Sequence, residues 1–128
     1  MYQSLEIFQM ATAMARHAGA RQAVVARNIA NADTPDFKAQ HITSFKDHYK
    51  SGVDVSVQRT RPAHLGNVSD RAIIPTAIES QAEESPNGNT VSLETELLNS
   101  VAVSREHNRA LTIYRHGMTI LRTTLGRG

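Results

Sequence analysis

Small and apolar side chains recur every three or four residues in the first part of the chain, from about Leu5 to Asn31. This spacing places them on one face of an α-helix, and no proline interrupts the run. Gln22 fills the one step where an apolar residue is missing. The pattern predicts an N-terminal helix over about residues 5–31. Its apolar face consists of Ile7, Ala11, Met14, Ala18, Val25 and Ile29.

A second helical pattern closes the chain, over about residues 92–125. Ser92 is a suitable N-cap, and Glu94 and Glu96 place negative charge in the first turn, where the helix dipole favours it. Gly126 follows the last apolar residue and predicts the end of the helix. The apolar face of this helix consists of Leu97, Val101, Leu111, Tyr114, Met118, Leu121 and Leu125.

Two polar residues, Ser104 and Asn108, interrupt this second apolar face near its middle. One interpretation is that the face drifts around the helix, so that both side chains contact water. The other is that a polar residue at a contact position sets the axial register of an assembly, at some cost in stability. The pattern alone leaves both interpretations open.

The segment between the helices, about residues 39–88, has no helical period and contains most of the prolines. Within it, Val53, Val55 and Val57 alternate with polar residues, which predicts a short strand. The acidic, turn-rich stretch "AIESQAEESPNGN" predicts that part of this insert is mobile. The chain is therefore expected to be a single domain, residues 1–128, ordered as helix, irregular insert and helix.

The composition limits how much apolar surface one copy of the chain can bury. Aromatic residues make up 5% of the sequence, tryptophan and cysteine are absent, and the mean hydropathy is −0.37. We therefore expect the helices to complete their burial against other copies or partners. The formal net charge is only +2, and the basic residues are scattered. This pattern argues against a DNA-binding module, for which salt-sensitive DNA binding would be the test.

The sequence contains no recognisable catalytic or metal-binding motif. Its six histidines lack the HExxH and HxxxH spacings, and the absence of cysteine excludes thiolate ligands. Because no nucleophile, P-loop or dinucleotide motif occurs, we predict no catalytic residues, no metal site and no cofactor. No apolar run approaches the ~20 residues of a membrane span. The first thirty residues also lack the apolar core of a secretory signal, so if this protein leaves the cytoplasm, another export route, without signal cleavage, must carry it.

The stretch "NIANADTP" follows the first helix directly. Asn28 and Asn31 lie one helical turn apart, and Thr34 precedes a proline, so the helix must end before it. In the simplest interpretation, Asn31 closes the helix in a left-handed conformation and a turn follows. Alternatively, Asn28 lies inside the helix and donates its amide to a neighbouring chain.

The longer segment "ARNIANADTPDFKA" (residues 26–39) resembles the N-terminal signature of the bacterial flagellar axial proteins, the rod, hook and hook-associated family. That signature is usually written S-N-I-A-N-x-x-T-P-G-Y. Asp36 stands at its usual glycine, and we therefore expect a type I turn there rather than type II. The segment "NGNTVSLETELLNSVAVSREHNRAL" is similar to the stretch that opens the C-terminal helix in proximal-rod members. The matching signature residues are Asn28, Ile29, Ala30, Asn31, Thr34 and Pro35.

This resemblance implies a mainly α-helical fold in which the two terminal helices pair as a coiled-coil-like unit, with an irregular middle segment that holds a short β element. It implies a non-enzymatic structural subunit of the flagellar basal-body rod, located in the periplasm, transmitting torque and exported by the type III apparatus. The apolar faces of both helices, together with Asn108, would form the assembly interface. The remaining alternatives are another rod subunit of the FlgC type, or a small helical export adaptor or chaperone.

The resemblance also implies the partners. These are further copies of the chain, rod proteins of the FlgC, FlgF and FlgG types, a FliE-type adaptor, the MS-ring protein and the export apparatus. Neither nucleic acid nor a small-molecule substrate is expected.

Overall fold

The computed structural model describes residues 2–47, 49 and 75–126. In this part of the chain, helix α1 (Tyr2–Ala30) is followed by strand β1 (Gln40–His41), strand β2 (Ile78–Glu79) and helix α2 (Leu93–Leu125). The strands pair antiparallel, with Gln40 opposite Glu79. The expected fold class, with paired terminal helices and a short β element between them, is confirmed. The strand predicted at Val53–Val57 lies outside the described residues.

The two helices pack side by side in opposite directions. Arg21 pairs with Glu106 near the middle, while the ring of Phe8 meets that of Tyr114 edge to face, with 5.2 Å between centroids. We call the end where α1 stops and α2 starts the closed end, and the opposite end the open end. The Arg21 Nη1 donates to both carboxylate oxygens of Glu106, at 2.9 and 2.7 Å. This half-buried ion pair fixes the axial register of the two helices.

Side chains at alternating steps of three and four residues line the contact face of each helix. Such spacing keeps one face of a helix against its neighbour. In α1 the buried and half-buried positions at this spacing are Ala11, Met14, Ala18, Arg21, Val25 and Asn28. In α2 the positions at this spacing are Glu96, Val103, Glu106, Ala110, Ile113 and Gly117. Arg21, not the expected Gln22, occupies the central step of α1, and Gln22 is exposed.

The apolar face predicted for α2 divides into two surfaces in the structure. Towards the closed end, Leu97 and Val101 are about half exposed, at 53% and 52%, and Ser104 and Asn108 are exposed with them. In the chain by itself these two polar residues therefore face outwards, as the first interpretation required. Towards the open end the face turns to α1. There Leu111, Met118 and Leu121 are half-buried, Tyr114 contacts Phe8, and Leu125 is exposed.

The face of α2 that contacts α1 differs from the predicted apolar face because small side chains occupy the contact positions. Val103 and Ala110 are the fully buried apolar residues of α2, and Gly117 lies against Phe8, where an added Cβ would be 3.0 Å from the ring. Small residues let the helices approach closely, but they contribute little to an apolar count along the sequence. The leucines are larger and therefore dominated the apolar pattern of the sequence. In the structure they lie at the edge of the contact between α1 and α2, or outside it.

The helix ends follow the sequence prediction in position but not in every contact. Ser92 is the N-cap of α2, yet its side chain makes no capping hydrogen bond and accepts one from the Thr95 hydroxyl, at 3.1 Å. Gly126 ends α2 with its N–H donating to the Arg122 carbonyl, at 2.7 Å. Within the described residues, no helix contains an apolar stretch long enough to cross a membrane.

Candidate assembly site at the closed end of the helix pair

Asn28 is buried in the last turn of α1, with 1% of its surface exposed. Its Nδ2 donates to the Gln40 carbonyl at 2.7 Å, and its Oδ1 accepts from the Gln40 N–H at 3.1 Å. The side-chain amide thus pairs with β1 as a neighbouring strand would. Both hydrogen-bonding groups are used within the chain, so the idea that this amide serves a neighbouring chain is wrong.

Asn31 closes α1 through its side chain. Its Nδ2 donates at 2.8 Å to the Arg27 carbonyl, which also accepts the Asn31 backbone N–H at 3.2 Å. Its Oδ1 accepts from the Thr34 hydroxyl at 3.2 Å. The expected left-handed backbone is not at this residue, because within the described part of the chain positive φ values fall on Asp36 and Gly88.

The turn after α1 spans residues 34–37, with the Phe37 N–H bonded to the Thr34 carbonyl at 3.4 Å. Pro35 holds the second position near its fixed φ, and Asp36 takes the third position with φ 57°. A positive φ at the third position is the mark of type II, so the predicted type I turn is wrong. Asp36 adopts the conformation that glycine usually supplies because its N–H is bonded to the Asn87 carbonyl, at 3.0 Å.

Asn89 holds this turn from the other side of the closed end. The side chain is 2% exposed, and its Nδ2 lies 2.8–2.9 Å from the carbonyl oxygens of Asn31, Ala32 and Thr34. Its Oδ1 accepts from the Val91 N–H at 2.7 Å. One asparagine therefore joins the end of α1 to the segment that leads into α2. We call residues 28–40 and 84–91, joined in this way, the closed-end lock.

Further contacts complete the closed-end lock. Thr90 donates its N–H to the Phe37 carbonyl at 3.1 Å, and its hydroxyl accepts from the Ala39 N–H at 2.8 Å. Lys38 forms an ion pair with Glu84. These bonds tie a stretch of the acidic segment to residues 37–39, which follow the turn after α1. The described residues contain no group of three or more His, Cys, Asp or Glu side chains that could hold a metal ion. The closed-end lock consists mainly of side-chain amide and backbone hydrogen bonds, which hold the two segments in a fixed arrangement.

Gly88 and Asp36 are in close contact, and this contact makes a testable prediction. Gly88 has φ +79°, and a Cβ there would lie 2.2 Å from Oδ1 of Asp36. We expect Gly88→Ala to lower the free energy of unfolding by about 2 kcal/mol, partly from the positive φ and partly from the clash. In an Asp36→Gly background the cost should fall to about 1 kcal/mol, because only the backbone strain remains.

The measurement is a double-mutant cycle from urea unfolding followed by helical circular dichroism. A coupling of about 1 kcal/mol between the two positions is the expected result. If the two substitutions are additive within about 0.3 kcal/mol, the contact between them has no energetic weight.

A patch of large apolar side chains lies on the outward side of α2, next to the closed-end lock. It consists of Leu93, Leu97, Leu98 and Val101, and we call it the outer patch. Leu98 is 72% exposed, and the other three are about half exposed. Four such side chains within three helical turns leave a continuous apolar surface, which is uncommon unless another molecule covers it.

The structure divides the residues expected at the assembly interface between two places. Ala11, Ala18 and Val25 are buried within the chain, whereas Ile7, Leu97, Val101, Asn108 and Leu125 are exposed. Among the signature residues, Asn28, Asn31 and Thr34 meet in the closed-end lock, and Pro35 shapes its turn. Ile29 is half-buried and Ala30 is exposed.

Sequence reasoning missed Asn89 and Thr90. The "NGN" stretch containing Asn89 indicated a turn, and that turn is present. Its second asparagine, however, carries the contacts to the signature. The available signal was the presence of two family motifs, one at the end of α1 and one at the start of α2. Two such motifs at the same end of an antiparallel pair are placed to touch.

Comparisons with known proteins agree with this architecture. A family model described as "Flagella basal body rod protein" matches residues 10–38, which cover most of α1 and the turn of the closed-end lock. The flagellar basal body rod protein FlgB of Agrobacterium fabrum (strain C58 / ATCC 33970) is 30% identical over 125 residues, covering 93% of each chain.

The chain is a long pair of helices joined at one end by hydrogen bonds of asparagine side chains, and it has an uncovered apolar surface. These features are typical of a structural subunit of an assembly. The chain belongs to the family of flagellar basal body rod proteins. Within that family it is similar to FlgB along nearly its whole length. It is therefore a structural component of the basal-body rod, where members of the family assemble with other rod and basal-body components.

Proposed function

We propose that the chain builds the proximal part of the rod by packing the outward face of α2 against neighbouring subunits. The outer patch carries this proposal. Within one chain, α1 covers only the opposite side of α2, so the leucines of the patch stay in contact with water. Covering the four side chains would contribute roughly 4–6 kcal/mol before the costs of association are subtracted. Such contacts are weak singly and strong when a subunit makes several of them.

The proposal assigns different roles to the two helix faces. The inner face, with Ala11, Ala18 and Val25, holds the subunit together. The outer face, with Leu97, Val101 and Asn108, contacts neighbours, and the exposed Ile7 and Leu125 supply separate apolar contacts at the open end. The closed-end lock fixes the angle at which both helices reach the neighbour. In this arrangement torque passes between subunits through packed helices.

The finer assignments are part of the same proposal. We infer a periplasmic location and delivery by the flagellar export apparatus. The neighbours would be further copies, rod proteins of the FlgC, FlgF and FlgG types above, and a FliE-type adaptor and the MS-ring protein below. Small contact residues favour this route, since a chain with few bulky buried side chains is easily kept unfolded during export.

Placing charge in the outer patch tests the proposal. We expect Leu97→Asp combined with Leu98→Asp to abolish motility and incorporation into basal bodies, while the helical circular dichroism of the purified chain stays close to wild type. Both side chains already face water in the single chain, so their replacement should cost it less than about 1 kcal/mol. The measurements are a swimming assay in a strain lacking the wild-type chain and an immunoblot of isolated basal bodies.

Gln22→Asp is a suitable control, because Gln22 is an exposed residue of α1 that lies outside both the inner face and the patch. It should be incorporated normally. Normal incorporation of the double leucine variant would refute the role of the outer patch.

A further inference from the structure

Asn87, in the closed-end lock, is the one asparagine of the sequence that precedes a glycine. Asparagine is chemically labile, because the backbone nitrogen of the next residue can attack its side-chain amide carbon. A glycine in the next position has no side chain that would hinder this attack. Asn87 is also exposed, so water reaches the site of the reaction. Sequence and exposure together favour the loss of this side-chain amide.

The conformation of the closed-end lock opposes the same reaction. The Gly88 N–H donates to the Ser85 carbonyl at 2.8 Å, which closes a β-turn with Asn87 at its third position. In the common turns the third residue has ψ of about 0°. Ring closure between the Gly88 nitrogen and the Asn87 side chain requires ψ of Asn87 to rotate far from that value. The attacking nitrogen is therefore held, with its proton on a carbonyl, in a conformation that does not close the ring.

Contacts on both sides keep Asn87 in this conformation. Its carbonyl accepts the Asp36 N–H at 3.0 Å, and its Oδ1 accepts the Asn89 N–H at 3.2 Å. Ser85 in turn donates its N–H to the Asn89 carbonyl at 2.8 Å. Gly88 lies against the side chain of Asp36, which leaves it little room to move. A rotation at Asn87 therefore requires the closed-end lock to open.

We propose that Asn87 is a site of spontaneous deamidation that the closed-end lock suppresses. In a chain whose lock is open, the Gly88 nitrogen forms a bond to the side-chain carbon of Asn87. The side-chain NH2 group leaves as ammonia, together with the proton that the Gly88 nitrogen loses. Water then opens the resulting five-membered imide at one of its two carbonyl carbons. The net reaction consumes one water and replaces an amide with a carboxylic acid, without oxidation or reduction.

The two products have different consequences for the closed-end lock. Opening at the side-chain carbonyl gives aspartate, which keeps an oxygen that can accept the Asn89 N–H. Opening at the main-chain carbonyl gives isoaspartate, in which the backbone runs through the former side chain and gains one methylene group. That extra atom shifts Asn89 relative to the carbonyls that it contacts at the end of α1. A folded copy thus keeps the lock, whereas a copy that stays unfolded loses it permanently.

The test follows the amide of Asn87 in the purified full-length chain. One sample is kept folded in buffer, and a second is kept unfolded in concentrated guanidinium chloride at the same temperature and pH. Peptide mapping with fragmentation in a mass spectrometer measures the converted fraction over time. Asn99 and Asn108 are the references in the same digests, because serine and arginine follow them. The chemistry is independent of the outer patch, so the result does not bear on the proposed function.

In denaturant, Asn87 should be converted faster than either reference. In the folded chain its conversion should be at least about tenfold slower than in denaturant, because only copies with an open lock react. Copies that contain isoaspartate, separated by chromatography and returned to buffer, should unfold at a lower temperature than unmodified copies, as measured by circular dichroism.

Three variants locate the protection and the route. Asn89→Ala removes the contacts to α1, so it should bring the rate in buffer close to the rate in denaturant. Gln22→Asp, outside the closed-end lock, should leave the rate in buffer unchanged. Gly88→Ala should slow the conversion in denaturant severalfold, because the added methyl group hinders attack by the nitrogen.

Three results would overturn the inference. They are equal rates for Asn87 in the folded and the unfolded wild-type chain, conversion in denaturant no faster than that of the references, and a rate in denaturant that Gly88→Ala does not change. The first two comparisons use the wild-type chain and the third uses denaturant, so none of them depends on a variant that folds. A folded Asn89→Ala chain with the wild-type rate would likewise show that the lock does not protect Asn87.

Discussion

Replacing Asn89 with alanine is expected to lower the free energy of unfolding by about 3–4 kcal/mol. The side chain is buried, it contacts three carbonyl oxygens at the end of α1, and it accepts the Val91 N–H. Alanine leaves the Ala32 carbonyl and the Val91 N–H without these partners, whereas the carbonyls of Asn31 and Thr34 keep the N–H groups of Thr34 and Phe37. Each unsatisfied part-buried group costs about 1–3 kcal/mol unless water reaches it. Urea unfolding of dilute protein, followed by helical circular dichroism, measures the effect.

The neighbouring Asn87 supplies the control. It lies in the same turn and is exposed, and its side chain accepts one bond, from the Asn89 N–H at 3.2 Å. Asn87→Ala should therefore cost less than about 1 kcal/mol. Equal costs for the two alanine variants would mean that Asn89 does not hold the two helices together.

Replacing Asn28 with alanine is expected to lower the free energy of unfolding by about 2–3 kcal/mol, more than the same replacement of Asn31. Asn28 forms hydrogen bonds with both backbone groups of Gln40, on the side of β1 that faces away from β2. On the other side of β1, the Ala39 carbonyl accepts the Ser80 N–H. Without the amide, the part-buried N–H and carbonyl of Gln40 lose their partners. β1 should then detach from α1, and amide hydrogen exchange at Gln40 should accelerate strongly.

Asn31→Ala is the matched variant, because the two asparagines lie one turn apart in the same motif. The hydrogen bonds of Asn31 are exposed to water, which can replace them, so the expected cost is about 0.5–1 kcal/mol. Unfolding curves and hydrogen exchange at Gln40 should distinguish the two variants. If Asn31→Ala is as destabilising as Asn28→Ala, the proposed division between an inner and an outer asparagine is incorrect.

The helices could be predicted from the sequence because helix formation depends on local properties. Apolar spacing, the absence of proline, and charges suited to the helix dipole all act within a few residues. The observed bounds, Tyr2–Ala30 and Leu93–Leu125, agree with the predicted ones within a few residues. The contact face of α2 could not be predicted from the sequence in the same way. Its residues Val103, Ala110 and Gly117 are small and give only a weak apolar signal.

The closed-end lock shows a second limit of local reasoning. The signature residues Asn28, Asn31 and Thr34 could be identified from the motif, and a turn at Pro35 follows from proline geometry. The conformation of Asp36 could not, because a local rule assigns left-handed backbone to glycine. A hydrogen bond from Asp36 to Asn87, far away along the chain, overrides that preference.

By itself, the sequence determined the two helices, their ends and the likeness to the flagellar axial proteins, since each of these depends on residues that are close along the chain. Only the tertiary structure decided which face of α2 meets α1, that Asn89 closes the end of α1, and that Leu97 and Val101 remain outside. These outcomes depend on contacts between residues far apart along the chain, from 55 positions for Thr34 and Asn89 to 106 positions for Phe8 and Tyr114. Such contacts exist only once the helices have packed in the register that Arg21 and Glu106 define.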